Sequence, residues 1–108
     1  MTFLPAVLSH GALSTVDSLL YTVPVATTTI IKELWITNHA AVDVPVTLSV
    51  VSGGGPPTAS DRVLNSVPVN KNNPLVLPLS TVMAAGDTIW GFAGNSLLNC
   101  RISGVEGA

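Results

Sequence analysis

Charge is what this chain has least of. Asp, Glu, Lys and Arg make up 9% of its 108 residues, against roughly 25% in ordinary soluble domains. The four cations, Lys32, Arg62, Lys71 and Arg101, are scattered and the formal net charge is -2. The basic stripe that would neutralise phosphates is missing, which argues against nucleic acid as a partner. Cysteine is nearly absent too. Cys100 stands alone, which excludes an intramolecular disulfide and offers no metal-ligand spacing. Assembly in a reducing cytoplasm is compatible with that. Long hydrophobic runs are also lacking: a membrane-spanning helix needs about 20 mostly apolar residues. The charge-free stretch 18–31 holds Ser18, Tyr21, Thr22, Pro24 and three threonines, and 44–60 is broken by Pro45 and by Gly53, Gly54, Gly55, Pro56 and Pro57. No membrane is expected. No Lys or Arg precedes Lys32, so the N-terminus has no basic leader region and reads as mature sequence.

What is present is apolar. Hydrophobic residues account for 47% of the chain, in a length that suits one domain with one modest core. So little charge leaves little with which to coat a free surface. Interface cores are depleted of charge and enriched in aromatics, so the composition points to a subunit of an assembly.

Strand patterns dominate from about residue 19. In VDVPVTLSVV, Val42, Val44, Val46, Leu48 and Val50 alternate with polar residues or proline, the period of a half-buried strand. Pro45 has no N–H to give, so this strand is expected at a sheet edge or with a local break. SLLYTVPV and TTTIIKELWITN read as the preceding strands, and SGGGPPTAS as a loop. DRVLNSVPV, LVLPLS, TIWGFAG and SLLNCRISGV follow, separated by turn signals. About seven short strands without a competing helical period predict an all-β fold, an antiparallel β-sandwich of immunoglobulin-like or jelly-roll-like type, over residues 17–108. Residues 1–16 are uncharged and apolar, but Pro5 and Gly11 interrupt any period. They are expected as an extended N-terminal arm that docks on a neighbour.

Catalytic constellations are missing. His10 and His39 are isolated, the triple glycine precedes Pro-Pro instead of the Gly-Lys of a phosphate loop, and no Gly-x-Ser-x-Gly elbow occurs. No enzyme activity, metal or cofactor is expected. The aromatic signal is stronger. In KELWITN, Trp35 falls out of phase with Leu34 and Ile36, and in TIWGFAG, Trp90 and Phe92 oppose Ile89 and Ala93. Ile31 shares Trp35's phase while Lys32 falls on the core side, so the core phase is ambiguous. Either both faces are buried within the domain, one by the arm, or the aromatics face a neighbouring subunit. Burying one Trp is worth on the order of 4–6 kcal/mol before ordering costs. Trp35, Trp90, Phe92 and Ile31, with Phe3 and Leu4 of the arm, are the expected interface of an oligomer, most simply a trimer.

The order of motifs from residue 19 to 106 resembles that of small tailed-bacteriophage virion proteins: a Tyr-Thr-Val-Pro strand, TTTIIKELWITN, VDVPVTLSVV, a Gly-rich loop, an apolar LVLPL followed by Ala-Gly-Asp-Thr, and a final strand ending in Ser-Gly-Val-Glu. The resemblance implies a β-sandwich that decorates capsids as a cement protein or forms part of the tail, baseplate or fibres, commonly as a symmetric oligomer. Its partners would be the major capsid protein or tail proteins, and its location the virion. No catalytic residue is carried over. Trp90 and Phe92 stand where that pattern leads one to expect smaller or polar residues, and the apolar arm lies outside it. Two other functions fit the residues: a carbohydrate-binding module with Trp35 or Trp90 as stacking platform, and a bacterial adhesion or scaffold domain.

Overall fold

The computed structural model describes residues 3–107. They form eight strands: β1 (Leu4–Ala12), β2 (Ser18–Thr22), β3 (Thr28–Asn38), β4 (Val44–Val51), β5 (Arg62–Val69), β6 (Leu75–Met83), β7 (Thr88–Ala93) and β8 (Leu98–Gly107), with a 3-10 turn at Ala59–Asp61. A first sheet has the order β1-β8-β3-β6 and a second β2-β7-β4-β5. β1 pairs β8, β2 pairs β7, β3 pairs β6 and β4 pairs β5, all antiparallel. The chain is thus one long hairpin, bent at the loop after β4 and rolled into two sheets, and the β3–β8 and β4–β7 ladders close the roll. Of the two sandwich types expected, this is the jelly roll.

The loop at the bend explains its own composition. Gly53, Gly54 and Gly55 have φ of 78°, 82° and 84°, three consecutive left-handed residues that only glycine adopts without strain. Asp87 pins the loop by accepting the Gly53 N–H at 2.8 Å while its other oxygen accepts the Ala84 N–H at 2.9 Å.

The arm is different from expectation. Leu4–Ala12 is a regular edge strand paired with β8 from Glu106 to Asn99. The period is hidden in sequence because β1 steps from Val7 to Ser9 while β8 steps only from Ser103 to Ile102, so Leu8 is an extra residue that turns inward and is 8% exposed. Pro45 meets the second of its two expectations, a local break in the ladder. β4 is interior to its sheet, but the Pro45 carbonyl accepts the Gly94 N–H just past the end of β7. The ring nitrogen faces the same side, where no ladder acceptor remains to be served. Pro5, Pro68 and Pro78 lie in β1, β5 and β6, all edge strands.

Between the sheets, Ile31, Leu34, Ile36, Met83, Leu98 and Ile102 meet Val44, Val46, Leu48, Val69, Ile89 and Ala93 in one buried cluster. Two glycines allow neighbouring strands to approach closely within each sheet. A Cβ on Gly104 would lie 2.2 Å from the Ile30 carbonyl oxygen, which is backbone, whereas one on Gly91 would lie 2.4 Å from the movable Leu48 Cδ2. At one end a polar clamp joins the sheets: the Tyr21 hydroxyl of β2 donates to Glu106 of β8, which leaves Thr29 of β3 to donate to the Tyr21 oxygen at 2.8 Å. Burial first, and then the bond to Glu106 and its charge, push the Tyr21 phenol up to about 12.

Two outcomes are expected. Overpacking costs about 1–3 kcal/mol, and in denaturant melts Gly104→Ala should reach or exceed the top of that range while Gly91→Ala stays below it. Tyr21 is the only tyrosine, so ultraviolet titration of the phenolate should show a midpoint near 12 instead of 10. Because the folded value lies above the unfolded one, this group's contribution is complete below pH 10 and is lost as pH rises from about 10 to about 12. Tyr21→Phe should remove that step from the stability profile.

Candidate functional site

The outward faces of the two sheets, and not the interior, carry the features to be explained. A cavity of about 60 Å³ between the sheets is lined by Ile31, Leu34, Leu48, Val50 and other mostly aliphatic residues, so it offers a bound molecule neither room nor polar partners.

On the first sheet, one residue of β3 decides which side chains face out. Opposite the single step from Gly104 to Ser103 on β8, β3 advances from Ile31 to Glu33, and Lys32 is the extra residue. The alternation therefore reverses there. Thr29 and Ile31 point inward before it, Leu34 and Ile36 point inward after it, and Glu33 and Trp35 are turned outward. This corrects the expectation for Ile31. It is 3% exposed and belongs to the chain's own core, because the extra residue separates its phase from that of Trp35. The β1 irregularity at Leu8 lies at nearly the same level, so both neighbours of β8 bend together.

Cross-strand register then sorts this outer face into two regions. At one end, Pro5, Val105, Ile30 and Val82 are successive partners across all four strands, an apolar row from edge to edge. Val7 adjoins it on β1, whereas Leu4 pairs with Glu106 and has the opposite phase at the open sheet edge, with Phe3 before it; Val82, Leu4, Val7 and Phe3 are all exposed. At the other end the row is His10, Arg101, Trp35 and Val76. Trp35 is 42% exposed, with its indole N–H bonded to Glu33. Hollows flank its ring on both sides. One of about 430 Å³ is lined by His10, Gly11, Thr37, Asn99, Cys100 and Arg101, and one of about 220 Å³ by Asn38 and the Asn70–Pro74 turn. Cys100 points into the core, and burial pushes its thiol up to about 12.

The outer face of the second sheet holds Trp90 and Phe92 on β7 with Leu19 of β2 opposite Trp90. Both rings are half-buried by their own chain. They stand opposite Ser49 and Thr47 of β4 and cover them, which is why these small polar residues are only 1% and 3% exposed on an outward face. The Trp90 indole donates to Thr88 Oγ1 at 3.1 Å. Leu19 remains 51% exposed beside them.

Trp35 and Trp90 therefore lie on opposite faces of the sandwich. β1 extends the first sheet sideways and does not cover Trp35. Phe3 and Leu4 sit beside Pro5 at the β1 edge, three strands from Val82 and not with either tryptophan. The apolar row itself has no sequence signature, since Pro5, Ile30, Val82 and Val105 become neighbours only through strand register. Among the described residues, no group of three His, Cys, Asp or Glu side chains is placed to hold a metal ion. No protein-family model matches the chain, and no curated protein matches it either.

Iodide quenching checks the asymmetry between the two indoles. In Trp90→Phe protein, emission from Trp35 should be quenched more steeply than emission from Trp90 in Trp35→Phe protein when both are dilute. Equal slopes would mean that the rings are covered alike.

Proposed function

We propose that this chain is a non-enzymatic structural subunit of a bacteriophage virion, a capsid decoration (cement) protein that stabilises the particle through apolar contacts. The observation that carries the reading is the presence of apolar surface on both outer faces of a thin sandwich, with overall extents of 45 × 26 × 18 Å. The row Pro5, Val105, Ile30 and Val82 with Val7 lies on one face, and Leu19, Trp90 and Phe92 on the other. A plate that is apolar on both sides can join two neighbours at once. Contiguous exposed apolar patches of this kind mark interaction surfaces, and 9% charge leaves few residues to solvate them. The motif order resembling small phage virion proteins supports the same reading, as does the jelly roll, an architecture used by viral capsid and lectin domains. Fold alone does not assign function, so the weight rests on the two faces. The partners are further copies of the chain, most simply in a trimer, and the major capsid protein. Assembly takes place in the host bacterial cytoplasm. A tail, baseplate or fibre subunit is the alternative, and the polar setting of Trp35 favours it.

Sedimentation should give three times the 11.1 kDa monomer mass, and purified protein should bind undecorated capsids saturably. A monomer at micromolar concentration would remove the oligomer, and absence of saturable capsid binding would move the protein to the tail. Val82→Lys places a charge in the apolar row at a position 66% exposed. It should change stability by no more than about 0.5 kcal/mol and weaken association at least about tenfold.

A further inference from the structure

We infer that the Trp35 end of the first sheet is a carbohydrate-binding site, with the indole as a platform on which a pyranose ring stacks and with sugar hydroxyls held by His10, Asn99 and Arg101. The inference stands on the geometry around Trp35 and does not depend on the virion reading.

Trp35 differs from the other outward aromatics in two respects, its surroundings and the hollow beside it. Its ring, like that of Trp90 on Thr88, is held by its own chain: the bond from its indole N–H to Glu33, two residues earlier on the same strand, fixes the ring without help from a partner. A stacking surface that is already oriented loses little entropy when a ligand arrives. Its surroundings are polar, unlike those of the apolar row and of Trp90. Arg101 is its direct partner on β8, His10 lies next to Arg101 on β1, and Asn99 is the partner of Thr37. Among the described residues these three side chains make no hydrogen bond within the chain, whereas Asn38 nearby is fully engaged with Ala40, Val42 and Val69. Donors and acceptors stand idle beside the ring. Finally, the hollow on that side has a volume of about 430 Å³, within the span of about 300–1,000 Å³ typical of small-molecule sites. The second hollow, on the far side of the same ring, extends the surface toward Lys71 and the neighbouring asparagines, so the site fits more than one sugar unit.

The ligand class follows from this combination. The negative face of an indole attracts partially positive hydrogens, and one face of a pyranose presents a patch of C–H groups while its rim presents hydroxyls that both donate and accept. Asn99 and a neutral His10 can do both, and Arg101 can donate twice to adjacent hydroxyls. A nucleic-acid base would stack equally well, but it brings phosphates, for which Arg101 and Lys71 are the only cations at hand. A second copy of the chain would need to match a mixed polar surface with an exposed cation, which the apolar end of the same sheet does not require.

The test is binding of the full chain to a glycan array carrying bacterial surface polysaccharides, followed by titration of isotope-labelled protein with the oligosaccharide that binds best. The expected result is saturable binding that shifts the Trp35 indole and Asn99 side-chain amide resonances. It should fall at least about tenfold in Trp35→Ala, remain measurable in Trp35→Phe and persist in Trp90→Ala. Trp35 faces outward, so Trp35→Ala should fold, and the emission of Trp90 reports whether it does. Absence of binding to every glycan would overturn the inference, as would binding that survives Trp35→Ala or depends on Trp90. Loss of oligomerisation in Trp35→Ala with no glycan binding by the parent protein would show that another copy occupies the surface. Capsid binding that persists in Trp35→Ala would keep the virion reading separate from the fate of this one.

Discussion

The extra residue at Lys32 is the constraint from which the arrangement of the first sheet follows. A strand of eleven residues with strict alternation would place Thr29 and Ile31 on the face opposite to Leu34 and Ile36. Such a strand could fill a core along only half of its length. The reversal gives β3 four inward side chains along its whole run, and it is the cause of Trp35 facing out. Core and surface site are thus set by one local irregularity. Lys32 suits that position because a bulged residue leaves the ladder, and a long cation reaches water easily from there.

Much of the fold was legible in the sequence. Alternation in VDVPVTLSVV located β4, and the turn signals located the strand boundaries from β5 to β8, although NKNNP, which reads as a hairpin, joins β5 and β6 of different sheets. The misreadings of β1 and β3 share a physical cause. β1 and β3 both contain an extra residue, and a single insertion shifts every later side chain to the other face. A search for uniform period therefore turned β1 into an arm and gave Ile31 the wrong face. Pro45 takes the second of its two expected settings: it lies in an interior strand, but where the adjoining ladder has already ended, and strand ends are set by the partner.

The surface was legible only in part. Trp35, Trp90 and Phe92 could be recognised as off-phase residues, but neither which phase faces out nor their different settings could be read from phase alone. Ser49 and Thr47 are small enough for the β7 aromatics to settle over them, whereas Trp35 has Arg101 and Val76 as neighbours and stays open. Cross-strand partners are separated by tens of residues in sequence, so rows such as Pro5, Val105, Ile30 and Val82 have no local signal. The same register groups the polar side chains around Trp35 and keeps them apart from the apolar row. Two chemically different regions thus share one sheet.

The prolines of β1, β5 and β6 have a consequence for chains at high concentration. An open sheet edge is a template for another strand, and two four-stranded sheets have four such edges. Three of these strands contain a proline, and the fourth, β2, is only five residues long. Chains crowded together during synthesis therefore have poor means of zipping edge to edge into fibrils. The broad faces are left as the surfaces through which copies could meet.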